Sequence, residues 1–384
     1  MTALPLEGIL VADFSRVLAG PYSAMTLGDL GADVVKVERP GVGDDTRAWG
    51  PPWADGVATY YLGLNRNKRS VTMALDEPAD AALAFELASR ADVLIENFRP
   101  GTLDRYGLGY ETLRAVNPGL VYCSITGFGS APQAADLSGY DLLVQAMSGI
   151  MSVTGEPDGA PMKAAIAVVD HVTSLQATIG ILAALRARDR SGLGQRVEVS
   201  LMGAALAALL NQGSGYVNAG AVPRRLGNRH PSVVPYEIFQ ASDGWFVLAC
   251  GNDSQFAKVA SIVGLGEMAS DDRYRTNAAR VANVDELCDR LSAAFATRSS
   301  TEWVEELTAA GVPAGPINRI DEAFETAERL GLEPIVDTDV PGGGRQRSVR
   351  SPIRLSATPP DVRHHAPGLG EQDAEIRAWL SAPR

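Results

Sequence analysis

Few side chains in this sequence have both the type and the setting for chemistry. They are one carboxylate and a scattered set of cations. Asp170 follows the apolar stretch Ala164-Ala165-Ile166-Ala167-Val168-Val169, at what reads as the start of a helix. A carboxylate there fits two roles. It is an N-cap that satisfies amides of the first turn, or a nucleophile that the helix dipole keeps ionised for attack on an activated acyl carbon. The cations gather at three places: Asn65-Arg66-Asn67-Lys68-Arg69 between two predicted strands, Glu38-Arg39-Pro40 after a strand, and Asn97-Phe98-Arg99-Pro100-Gly101 after another. Arg and Lys suit phosphates, although each segment also fits an ordinary solvated turn. Three basic strand exits in a chain of formal charge -12 predict a polyphosphate ligand lying across the strand ends.

Other chemistries lack their residues. There is no Gly-Lys dipeptide for a P-loop, no G-x-G-x-x-G after the first strand for a nicotinamide cofactor, and no G-x-S-x-G elbow. The histidines, His171, His230, His364 and His365, show no metal-ligand spacing, so no metal is expected. Cys123, Cys250 and Cys288 lie far apart and read as buried free thiols. The negative charge argues against nucleic acid as a partner. The N-terminus lacks the basic region and apolar core of a signal peptide. The most apolar run, Val199 to Leu210, is shorter than the ~20 residues of a spanning helix. The expectation is a cytoplasmic protein with no membrane partner.

What must position these residues is an α/β scaffold. The 384 residues, 46% hydrophobic and 21% charged, have ordinary globular composition. Apolar runs at 9–14, 33–38, 70–75, 91–96 and 120–125 alternate with helical patterns, among them a helix through Leu30 and another over 78–90. Such βαβ units predict a parallel, doubly wound sheet. Helical spacing follows over 140–151, 171–188 and 201–217. Beyond the irregular stretch 220–235, Tyr236–Gln240 and Trp245–Cys250 flank Ser242-Asp243-Gly244 as a hairpin. Helices near 253–263, 285–297, 301–310 and 371–381 complete the chain.

In order along the chain, Asp13-Phe14-Ser15-Arg16-Val17-Leu18-Ala19-Gly20-Pro21, Gly31 through Pro40, Asn65 through Ser70, and Ala91 through Gly101 resemble motifs of the family III (CaiB/BaiF-like) CoA-transferases. So do Gly139-Tyr140-Asp141, Asp170 and Gly227-Asn228-Arg229-His230-Pro231. The resemblance runs over essentially the whole chain. It implies a Rossmann-like large domain over 1–224 with a linker helix, a small α+β domain over 225–330, and a return to the large domain over 331–384. It also implies an interlocked homodimer.

The resemblance further implies coenzyme A or acyl-CoA as substrate, with no permanently bound cofactor, and a small carboxylic acid as the second substrate. Leu18, Ala19, Arg39, Asn65, Arg66, Asn67, Lys68, Asn97, Phe98, Arg99, Arg105, Tyr140 and Asp141 match CoA-site positions, and Asp170 matches the catalytic aspartate. In such enzymes the aspartate attacks the thioester to give a mixed anhydride, then an aspartyl-CoA thioester. Racemases of the same family carry Gly-His-Asp where this chain has Gly139-Tyr140-Asp141, and tyrosine is a poor base at neutral pH. Formyl-CoA transferases carry a glycine run that is absent between 225 and 330. Gly227 to Tyr236 is more similar to members using dicarboxylic or carnitine-type acids. A non-catalytic CoA-binding protein is the third reading.

Overall fold

Each apolar strand of the N-terminal part must bury both faces, and the chain does so by sandwiching one sheet between helices. The computed structural model describes residues 3–134 and 137–383. Six parallel strands form the sheet: β1 (Leu10–Asp13), β2 (Asp33–Glu38), β3 (Lys68–Thr72), β4 (Val93–Glu96), β5 (Val121–Thr126) and β6 (Arg196–Ser200). Their spatial order is β3-β2-β1-β4-β5-β6. The chain winds outward from β1 in one direction, returns, and winds outward in the other. The Rossmann strand order is therefore present without the glycine fingerprint that accompanies dinucleotide binding.

The helices include α1 (Ala19–Asp29), α2 (Pro78–Arg90), α3 (Asp141–Met147), α4 (Val168–Ser191), α5 (Leu201–Ala208) and α6 (Leu210–Ala219). Side chains alternate between the two faces of the sheet with the period of two that strands impose. Val11, Val34, Val93, Ile95, Val121 and Cys123 pack with α1 and α4. Ala12, Val35, Leu94 and Tyr122 pack with α2 and the C-terminal helix Asp373–Ser381.

Two compact units divide the chain. One comprises 1–150, 163–221 and 333–384; the other comprises 151–162 and 222–332. The second has its own core, with Phe239, Phe246 and Phe295 packed ring to ring, and an antiparallel sheet of Tyr236–Gln240, Trp245–Ala249 and Ala314–Pro316.

Several expectations need amending. The apolar run from Val199 does not begin a helix: it closes β6, an edge strand whose Arg-Val-Glu-Val-Ser alternation carried the signal. The Gly342–Gly344 region turns a hairpin, Ile335–Asp339 against Arg345–Val349. The helix foreseen over 201–217 breaks between α5 and α6, where Leu210 has φ of +46°. The 24-residue α4 is by length and composition apolar enough to cross a membrane, which the sequence reading did not foresee; it packs against α1 and the sheet.

Candidate active site

Asp170 is the third residue of α4, not its cap. Ala167 stands in the cap position and has no acceptor to offer. The capping comes from another helix. Asp141, at the start of α3, turns its Oδ1 onto the amides of Val169 at 2.8 Å and Asp170 at 3.1 Å. Its Oδ2 accepts from Gln145 Nε2 at 2.6 Å, and the fully buried Gln145 in turn accepts the Ala164 amide at 2.9 Å. The Val168 and His171 amides reach the carbonyls of Ile166 and Ala167. All four first-turn amides of α4 are thus engaged, and none is left for a ligand. The expectation that the helix start keeps Asp170 readily ionised is overturned: burial, reinforced by the charge of Asp141, raises its carboxyl to about 7.

Asp170 lines a cavity of about 320 Å³ at the C-terminal ends of β1, β4 and β5. The neighbours β1 and β4 are joined through the other half of the sheet. Their loops diverge, and such a switch point leaves a crevice for ligands. Leu18 and Ala19 from the β1–α1 loop, Asn97, Phe98 and Arg99 from the loop after β4, and the 66%-exposed Tyr140 share its wall. A β-carbon on Gly20 would collide with Ser15, so only glycine lets this loop turn into α1.

Asn97 holds that loop by its backbone: its Oδ1 accepts the Arg16 amide at 2.9 Å and its Nδ2 donates to the Arg16 carbonyl at 2.7 Å. Val17 sits at φ +70°, strained for a β-branched residue, with its amide 3.3 Å from both oxygens of Asp44. Burial alone would raise the Asp44 carboxyl, but the fully buried Lys36 ammonium at 2.9 Å and the Thr46 amide outweigh it and bring it to about 2.

A second cavity of about 300 Å³ lies at the ends of β2 and β3. Phe14, Val37, Pro40, Met73 and Leu75 line it, with Arg39 and Arg16 as its cations outside the buried Lys36. Phe98 and Arg16 line both cavities and so form the partition between them. The Arg16 guanidinium carbon is 5.3 Å from the Phe98 ring centre. An apolar slot with guanidinium groups suits a flat heterocycle that carries phosphates.

The run Asn65 to Lys68 lines neither cavity. Lys68 is buried and donates to Asp13 Oδ2, the Pro21 carbonyl and Asn65 Oδ1, each at 2.9 Å. Arg66 forks onto both oxygens of Asp29 and reaches the Val349 carbonyl. Asn67 bonds Asp29 and the returning chain at Asp361, Arg363 and His364. The side chains of this segment grip the protein itself, because Asp13 and Asp29 are buried acids that need counter-charges. Arg105 is exposed on the 3-10 turn Leu103–Tyr106 and also lines neither cavity, and Asp141 is engaged as the cap.

Three residues escaped the sequence reading. Arg16 was visible only as part of a motif. Tyr60 lies in the field of Asp170 and Asp141, whose charges add to burial in raising its hydroxyl, and its ring meets Trp49 edge-on at 5.4 Å. Trp49 and Tyr60 sit in the irregular excursion between β2 and β3, where no periodicity points inward.

With this geometry in place, the family model for CoA-transferase family III matches residues 6–373. The chain belongs to CoA-transferase family III. A succinate–glutarate CoA-transferase from Agrobacterium fabrum is 46% identical, over 98% of this chain and 96% of its own length. A mouse succinyl-CoA:glutarate CoA-transferase is 40% identical, over 97% and 85%. A crystal structure of a CaiB/BaiF family protein from Brucella suis superposes with a TM-score of 0.87 at 43% identity, covering 99% of this chain and all of that one. This CoA-transferase is an enzyme whose substrates are acyl-CoA thioesters and carboxylic acids. The racemase and non-catalytic readings fall away.

Proposed function

We propose that this CoA-transferase moves CoA from succinyl-CoA or a similar thioester to a short dicarboxylic acid, through covalent intermediates on Asp170. The observation that carries this is the position of Asp170: a carboxyl raised to about 7, facing the switch-point cavity beside Leu18, Ala19 and Phe98. The names of the two relatives supply the acid class. In this reading the adenine end of CoA lies in the Arg39 cavity and the thioester reaches Asp170 past Phe98. Asn65 to Lys68 and Asp141 support the site rather than touch the ligand.

The Asp170 carboxylate attacks the thioester carbonyl, the C–S bond breaks, and CoA thiolate leaves an acyl-aspartyl anhydride. The thiolate then attacks the aspartyl carbonyl, which expels the donor acid and leaves an aspartyl-CoA thioester. The acceptor carboxylate attacks this thioester and CoA thiolate departs again. Returning thiolate attacks the acceptor's acyl carbon, giving the new acyl-CoA and free Asp170. With the α4 amides engaged, the start of α1, where Leu18 brings no side-chain cap, supplies the donors for the oxyanion.

The test is to incubate the enzyme with succinyl-CoA and labelled glutarate, follow label into CoA esters, and quench a parallel sample with hydroxylamine. A hydroxamate at Asp170, and loss of about a thousandfold or more in turnover for Asp170→Ala with CoA still bound, are expected for a nucleophile. Normal turnover in that variant, or a hydroxamate elsewhere, overturns the mechanism.

The same proposal includes a homodimer. Leu143 and Met147 on α3, Leu175 and Ile179 on α4, and Leu210 and Val217 on α6 are exposed apolar side chains, and a second copy would cover them. Sedimentation that finds a folded monomer on dilution overturns this part.

A further inference from the structure

Arg16 and Arg39 share one carboxylate at the partition between the two cavities. Asp45 Oδ1 takes Arg39 Nη2 at 2.7 Å, while its Oδ2 is 3.4 Å from Arg16 Nη1. The second contact is long, and Arg16 Nε is a buried donor that has no acceptor among the described residues. A donor buried without a partner is costly, so Arg16 is held in place by something other than Asp45. Its backbone is fixed at both polar atoms by Asn97, and its guanidinium lies over Phe98. The result is a guanidinium presented to both cavities but incompletely satisfied by its ion-pair partner. Asp45 is unlike its neighbour Asp44, which caps the 3-10 turn and pairs with buried Lys36. Asp45 caps nothing, and its side chain is 38% exposed.

We propose that Arg16 binds the diphosphate of acyl-CoA, and that Asp45 is a resident competitor that this diphosphate displaces from Arg16 and Arg39. The inference rests on the CoA reading above. It adds a role to two residues that line the cavities without any other task. Diphosphate oxygens accept from the same guanidinium edges as a carboxylate and are more numerous, so one of them can also accept a hydrogen bond from Nε–H. Asp45 then tunes release. While it competes, product CoA leaves through an ion-pair exchange instead of by stripping two bare cations.

Calorimetric titration of CoA and of pantetheine, which lacks phosphates, tests this with the full-length enzyme. Asp45→Asn should bind CoA about fivefold tighter, the scale of part-exposed ion pairs, and pantetheine unchanged. Arg16→Ala should weaken CoA by about tenfold or more, the scale of a charged hydrogen bond, again with pantetheine unchanged; Arg16→Lys, which keeps the charge but loses the fork, should fall between. In the Arg16→Ala background the gain from Asp45→Asn should shrink to the part that comes from Arg39, and it should disappear when Arg16 and Arg39 are both replaced by Ala. An equal gain in the Arg16→Ala background, or equal changes for pantetheine, overturns the proposal. If the parent enzyme binds no CoA at all, the CoA reading itself fails, and the two failures are distinguishable.

Discussion

Asp141 holds the helix that carries Asp170 by accepting two of its backbone amides, and the same negative charge opposes ionisation of the Asp170 carboxyl. One residue therefore orients Asp170 and raises its pKa. Burial is the larger cause and Asp141 the second, and together they set a value of about 7. The protonated carboxyl cannot attack, so kcat/KM should fall about tenfold per pH unit below 7 and level off above it. Asp141→Asn keeps an oxygen for the amides of Val169 and Asp170 but removes the charge, so the acid limb should move to lower pH. A pH–rate profile of both proteins checks this. A limb that stays in place would assign the titration to another group.

Glu96 makes a second pH-dependent prediction, on stability. It ends β4 directly before Asn97 and Phe98, and its Oε2 accepts the Phe98 amide at 2.9 Å. Burial raises its carboxyl to about 7, against the pull of Ser124 and the Phe98 amide. A carboxyl whose folded value lies above its unfolded value holds its proton more tightly when folded. Its contribution is full below about pH 4 and is lost as pH rises to 7. Glu96→Gln cannot ionise, so it should gain on the parent with rising pH, reaching on the order of 3 kcal/mol above pH 7. Denaturant unfolding at pH 5, 6, 7 and 8 measures the difference. A gap that does not widen with pH refutes the assignment.

The sequence spoke most clearly where a local pattern and tertiary burial agree. Asp33–Glu38 and Pro78–Arg90 stand as read, the first because its valines fall on both faces, the second because Pro78 and a helical stripe mark its start and course. β6 was illegible because an edge strand with half-polar alternation adjoins a greasy helix, and the run Val199 to Leu210 spans both. In the site, Leu18, Ala19, Arg39, Phe98 and Arg99 line the cavities as strand ends would place them, and Tyr140 and Asp170 line one of them from the starts of α3 and α4. The engagement of the 65–68 side chains within the protein was not legible, and for a single physical reason. A sequence shows cations beside one another but not the acids they neutralise. Asp13 lies 55 residues from Lys68 and Asp29 lies 37 from Arg66.

That distinction gives the last prediction, which sets Lys68 against Arg39. Lys68 and Asp13 are both fully buried, and removing Lys68 leaves the Asp13 carboxylate without solvent or its direct partner, offset only by the field of Lys36 and the Ser15 hydroxyl. Lys68→Met should therefore cost about 3–5 kcal/mol of stability, the range for breaking a buried pair, and should lower Tm before it alters CoA affinity of the folded fraction. Arg39 is different: its side chain is 52% exposed and its one ion pair is with Asp45. Arg39→Ala should leave Tm near the parent value, because an exposed pair contributes under about 1 kcal/mol. It should weaken CoA by about 1–3 kcal/mol, through loss of a charged hydrogen bond to the ligand. Thermal unfolding and CoA titration of the two variants side by side separate the roles. If Lys68→Met keeps its Tm and loses CoA, while Arg39→Ala does the opposite, then the buried run contacts the nucleotide after all and the cavity at the ends of β2 and β3 does not.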